Sequence, residues 1–177
     1  RALGEAFLER FGERFKRTAA ARDFHHARRG GLVEHVAQMM RSALAIAGVY
    51  RQLNADLMVT GVLFHDCGKL WETCCPENGF NIPLNLSGEM LGHISIGMEL
   101  VNKLWREVMD RAEASEWLHL QPTNEQVRLH VLHLIASHHG QMEFGSPVLP
   151  KTPEAMALHY VDNLDAKLEM FRRAYDT

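Results

Sequence analysis

The chain has 177 residues, a mass of 20.1 kDa and a net charge of −3, with 46% hydrophobic and 23% charged residues. That is enough chain for one domain with a sizeable core, and the composition excludes disordered and collagen-like proteins. The near-balanced charge does not mark a nucleic-acid binder, and no run approaches the roughly eighteen apolar residues of a membrane span.

Three cysteines, Cys67, Cys74 and Cys75, give an odd count whose adjacent pair is ill placed to bridge itself. A reducing compartment, hence a cytoplasmic location without membrane contact, is expected. The first residue is Arg1 rather than Met, so the chain reads as part of something longer, with room for upstream domains. Residues 1–29 hold eight Arg or Lys against four acids. Such a basic lip can attract phosphate, and it is also what the solvated face of a helix looks like.

Leu3, Phe7, Leu8, Phe11 and Phe15 recur at helical spacing and predict an amphipathic helix within residues 1–22, its aromatic stripe turned to the core. After an Arg28-Arg29-Gly30-Gly31 turn, Leu32, Val36, Met39, Ala43 and Ile46 predict a second helix to about Tyr50, with His35 on or beside its buried stripe. Asn54 can cap a third, whose apolar residues lead to His65 and Asp66, with Gly68 placed to end it. Residues 71–87 break the pattern and predict an irregular loop or short hairpin. A fourth helix carries Met90, Leu91, Ile94, Met98, Leu100 and Leu104, with His93 near its start. Thr123 and Gln126 form a capping-box signature for a fifth helix running to Ser137, with His138 and His139 at its end. Thr152-Pro153-Glu154 opens a last helix to about Tyr175, carrying Asp162 and Asp165 one turn apart. No strand-period segment or internal repeat survives, so the expected fold is all-α, about six main helices in a single domain.

The eleven histidines are informative through their placement. A single inward His is ordinarily a satisfied core residue. His35, His65, His93 and His138, together with Asp66 and Asp162, come from separate helices and need partners, which a metal ion supplies to several at once. The pair His65-Asp66 ends an apolar helix, Gly61-Val62-Leu63-Phe64, and Lys69 follows close enough to lie beside a metal and reach a phosphate oxygen. His130, His133 and His159 read as structural or exposed, the methionines Met39, Met40, Met58, Met90 and Met98 as core packing, and Cys74 and Cys75 as ordinary loop thiols.

The order His35, His65-Asp66, Asp162 resembles the HD superfamily of metal-dependent phosphohydrolases, and His93 and His138 resemble the two extra histidines of its two-metal members. The closer resemblance is to the YhaM-type 3′–5′ exoribonucleases. It is carried by Gly30-Gly31-Leu32-Val33-Glu34-His35, Gly88-Glu89-Met90-Leu91-Gly92-His93, Ser137-His138-His139-Gly140 and Lys151-Thr152-Pro153-Glu154-Ala155 leading to Asp162-Asn163-Leu164-Asp165. In that family an OB-fold nucleic-acid-binding domain precedes the HD domain, so such a domain is implied upstream of residue 1.

The resemblance implies a helical HD bundle binding one or two divalent metal ions, Mn or Fe first, with Co, Ni, Zn or Mg as further candidates. The implied metal ligands are His35, His65, Asp66, His93, His138 and Asp162, with Asp66 shared between two ions. It further implies phosphodiester hydrolysis at the 3′ end of single-stranded RNA or DNA by a metal-activated water. Asp66 and Lys69 would serve catalysis, and His139 would bind substrate, supply a proton to the leaving oxygen or orient its neighbour. His26, Arg28, Arg29 and Lys69 are candidates for substrate phosphate or ribose, since Arg forks onto phosphate oxygens, although a solvated loop explains the first three equally. Asp165 would contact substrate or hydrogen-bond a ligand His. The same residues also suit a phosphohydrolase of small nucleotides, or a non-catalytic module of a larger nucleic-acid-processing protein such as a relaxase.

Overall fold

The computed structural model describes residues 1–21, 28–72 and 85–175, without the Arg173 side chain. Every regular element among them is helical: α1 (Ala2–Phe15), α2 (Gly31–Val49), α3 (Ala55–Phe64), the single turn α4 (Lys69–Glu72), α5 (Leu86–Met109), α6 (Asn124–Ser137) and α7 (Pro153–Tyr175), with 3-10 turns at Ala112–Trp117 and Met142–Phe144. The all-α expectation with six main helices holds. The irregular loop or short hairpin expected within 71–87 is corrected at its edges, where Trp71 and Glu72 are helical and α5 has begun by Leu86. Its middle, with Cys74 and Cys75, lies outside the described residues.

Helix starts follow the predicted chemistry. Asn54 accepts from Leu57 N at 3.1 Å, and Thr123 with Gln126 closes both halves of a capping box. Thr152 Oγ1 accepts from Ala155 N at 3.2 Å. Helix ends were less readable. α1 stops at Phe15 rather than near residue 22, because the chain turns there to run beside α2: Arg17 O and Thr18 O accept from Gly30 N and Leu32 N. α3 likewise ends at Phe64, so Gly68 does not terminate it.

The core joins all the long helices. α3 lies centrally, where Gly61 lets Leu134 of α6 and Leu158 of α7 approach within 3.0 and 3.1 Å of where a Cβ would stand. Phe7 of α1 is fully buried, with its ring 5.2 Å from that of Phe64, so α1 closes the core by burial of large aromatic area. Leu8 of the same predicted stripe is instead half exposed.

α5 is broken at Gly92, whose φ of 68° and ψ of 161° lie outside helical space and favour glycine. The break turns the preceding residues away from the buried face. Met90 and Leu91, expected in the core, are therefore exposed, whereas Ile94, Val101 and Leu104 beyond the break are buried. Met39 and Met58 are fully buried as expected. No helix among the described residues is long and apolar enough to cross a membrane.

Candidate metal centre

The C-terminal ends of α3 and α6 converge on the start of α2, the break of α5 and the middle of α7. His35, His65, Asp66 and His138 are all buried there. Nε2 of His35 stands 3.3 Å from His65 Nε2 and 3.3 Å from Asp162 Oδ1. Asp66 faces two ways. Its Oδ2 lies 3.4 Å from His65 Nε2 and 2.6 Å from Lys69 Nζ, while its Oδ1 lies 3.3 Å from His93 Nε2 and 3.6 Å from His138 Nε2. All six residues expected to bind metal are thus brought together, with Lys69 beside them.

Each imidazole is held from behind. His65 Nδ1 donates to Val62 O at 2.9 Å and His138 Nδ1 to Ile135 O at 2.7 Å, the carbonyls one turn upstream at the ends of their own helices. His35 Nδ1 donates to Asp165 Oδ2 at 2.7 Å, the hydrogen bond to an inward His that was one of the two expectations for Asp165. His93 Nδ1 donates to Glu72 Oε1 at 3.1 Å, and its backbone N donates to the same oxygen at 3.0 Å. Sequence reasoning did not single out Glu72, which sits at the edge of the irregular stretch. Gly88, whose Cβ position is 2.3 Å from Glu72 O, was the available signal of its close approach to α5. With every Nδ1 proton committed outward, Nε2 of each ring faces inward.

The crowding of these groups moves their proton affinities. Burial alone would raise the Asp66 carboxyl, but the Lys69 ammonium and His65 hold it well below the ordinary carboxylate range. Burial would lower His35, and its contacts with Asp162 and Asp165 outweigh that and raise it to about 9. Asp162 is lowered by His35 against the opposing effect of burial. His138 and His139 are both lowered, chiefly by burial, and so are neutral imidazoles at pH 7.

Among the described residues three buried polar atoms, Asp66 Oδ1, His93 Nε2 and His138 Nε2, have no hydrogen-bond partner. Unpartnered buried polar atoms are costly, and here they face one another as acceptors and lone pairs, which is what a cation satisfies. Among the described residues two groups of donors can each hold a metal ion, His35 with His65 and Asp66, and His93 with His138 and His139. His139 thus joins a possible ligand group that sequence reasoning had not given it. Its Nδ1 donates to Phe144 O at 2.6 Å, and its ring lies 4.3 Å from that of His138 and 5.1 Å from that of His93.

The remaining candidates stand apart. Arg28 pairs with Glu34 at 2.6 Å and with Glu169 at 3.2 Å, which ties the turn before α2 to α7, and Arg29 is exposed in the same turn. His26 lies outside the described residues. His130, His133 and His159 have structural partners as expected, Thr152 Oγ1, Lys151 N and His138 O, each at 2.9 Å. A cavity of about 650 Å³, walled by Trp105 and Trp117, opens at the opposite ends of α3 and α6 and contains none of the clustered side chains.

The model of the HD domain family matches residues 32–167, which spans every clustered side chain from His35 to Asp165. The chain belongs to the HD domain family. This HD domain is 40% identical over 169 residues to the 3′-5′ exoribonuclease YhaM of Bacillus licheniformis, covering 96% of the chain and 49% of that protein. It is 41% identical over 157 residues to that of Bacillus subtilis, covering 89% and 45%. For the protein of the same description from Geobacillus sp. the figures are 37% over 169 residues, 96% and 47%. The HD domain chain thus spans about half the length of the curated relatives it matches, and no solved structure matches it.

Proposed function

We propose that the chain is a metal-dependent phosphodiesterase that removes nucleotides from the 3′ end of single-stranded RNA or DNA. The observation that carries this is the divided surroundings of Asp66, whose Oδ2 faces His65 beside Lys69 while its Oδ1 faces the Nε2 atoms of His93 and His138, those three being buried and without a hydrogen-bond partner among the described residues. The nucleic-acid substrate is taken from the relatives described as 3′-5′ exoribonucleases. Residues 1–177 are read as one HD unit, because α1 precedes the matched residues yet buries Phe7 against Phe64.

In this reading His35, His65, Asp66 and Asp162 would hold one ion, and His93, His138 and His139, together with Asp66, would hold a second. Mixed imidazole and carboxylate donors suit Mn²⁺ or Fe first, ahead of Co²⁺, Ni²⁺, Zn²⁺ and Mg²⁺. Such ions, when bound, supply Lewis acidity toward phosphoryl oxygens and acidify water to near neutral pH. The protein's own groups do the positioning. Val62 O, Ile135 O, Asp165 and Glu72 fix the four rings, and Lys69 keeps Asp66 ionised and stands ready to hold a phosphoryl oxygen of the substrate. With Arg28 committed to two carboxylates, Arg29 is the better candidate for substrate phosphate.

Metal-loaded protein incubated with 5′-labelled and 3′-labelled RNA should give a descending ladder from the first and immediate release of labelled mononucleotide from the second. Monophosphate release from free nucleotides alone would defeat the proposal in favour of a small-nucleotide enzyme, and hydrolysis of neither would leave a non-catalytic module.

Two further outcomes follow. A ligand at a hundredfold its Kd adds about 2.7 kcal/mol, or roughly 5–10 °C of melting temperature for a chain of this size. Chelator treatment of the loaded protein should remove that much, and an unchanged melting curve would count against a buried centre. Glu72→Gln should weaken the ion beside His93 about 10–100-fold and spare the other. Stepwise metal titration reads this directly, with two unchanged affinities contradicting the role of Glu72.

A further inference from the structure

α7 carries the site on one face and an uncovered apolar stripe on the other. Met156, Tyr160, Leu164, Leu168, Phe171 and Tyr175 follow one another at steps of four or three residues, the spacing of a single helix face. All six are between 43% and 85% exposed. On the opposite side, Ala155, Leu158, Val161 and Glu169 are buried, and Asp162 and Asp165 reach the metal centre. A helix apolar on both faces is expected to be covered on both.

We infer that this stripe is the interface with a second copy of the same chain, α7 lying antiparallel against α7. Six side chains of this size at these exposures present on the order of 700 Å² of mainly apolar surface. That is close to the roughly 800 Å² that each partner gives to a stable interface. A two-fold contact sets the stripe against itself, residue i meeting j and j meeting i. Turning it about a point near Ala166 places Leu164 against the second copy's Leu168, Tyr160 against Phe171 and Met156 against Tyr175. Aliphatic then meets aliphatic at the centre and aromatic meets aromatic on either side. Lys167 falls within the same arc, where its stem can pack while its ammonium reaches the rim. The pairing uses the face of α7 away from Asp162, so both metal centres remain open.

Sedimentation and light scattering of the 177-residue chain at tens of micromolar should give twice the 20.1 kDa chain mass. The double variant Leu164→Glu, Leu168→Glu should be monomeric, with unchanged metal content and melting behaviour, since both residues are exposed. Leu164→Lys and Leu168→Glu, each alone, should also be monomeric, and an equimolar mixture should recover the dimer, because antiparallel pairing sets one substituted position opposite the other. A monomeric parent chain, as expected if another protein or another part of a longer chain covers the stripe, would overturn the inference. So would a dimer indifferent to the double variant, and failure of the mixture to re-associate would overturn the antiparallel arrangement.

Discussion

Asp66→Asn is expected to abolish metal binding on both sides of the centre at once and to lower hydrolysis by at least about 10³-fold. No other residue of the cluster faces both halves. Oδ2 stands toward His65 and Lys69, and Oδ1 toward His93 and His138. The amide preserves the volume, so the fold should persist, but it removes the charge that offsets Lys69 and puts an NH₂ where a donor lone pair is needed. His93→Ala, which touches one half only, should keep about one equivalent of metal. Element-resolved mass spectrometry of the two variants beside the parent separates these outcomes. Two equivalents retained in Asp66→Asn would end the case for a shared carboxylate.

The contrast between these variants explains why so much of the centre was legible in advance. Metal ligands are few residue types, and a chain that sends His35, His65, His93 and His138 inward from four helices must give them a common partner. What the sequence could not convey was how the rings are fixed. Asp165 was readable as a helper because it lies one turn from Asp162 on a regular helix. Glu72 was not, because its link to His93 spans 21 residues and depends on close approach of α4 to α5, which no periodicity encodes. His139 does not read as a ligand in the sequence for a related reason. Adjacent residues diverge on a helix, but α6 ends at Ser137, and the bond from His139 Nδ1 to Phe144 O folds its ring back beside His138.

The same limit applies to the fold. Starts of helices carry local chemistry, since a capping side chain and the backbone it satisfies are three residues apart. The end of α1 is instead set by a distant partner, as Arg14 Nε donates to Leu70 O at 2.6 Å and Thr18 O meets Leu32 N. Apolar spacing likewise gave the buried face of α5 only from His93 onward, because one backbone angle at Gly92 reorients the turn before it.

Gly68→Ala should be among the most damaging single-methyl changes available in this chain. A Cβ at position 68 would stand 1.9 Å from His93 O and 2.7 Å from Gly97 N, both backbone atoms of α5 that no rotamer change can move aside. α4 and α5 would have to separate, which also draws Glu72 away from the His93 ring it holds. Overpacking costs about 1–3 kcal/mol, and the rigid backbone neighbours put this case at about 3 kcal/mol, so a fall in melting temperature of roughly 6–12 °C is expected. Metal should be lost first from the His93 side. Gly12→Ala is the matched control, because among the described residues nothing beyond its chain neighbours and the backbone of α1 itself comes within 4 Å of its Cβ position, and the substitution should stabilise the helix by about 0.5–1 kcal/mol. Thermal melts of the two variants, run with metal content on the same samples, should move in opposite directions. Equal melting temperatures would mean that the contact of α4 with α5 is not what sets the position of His93.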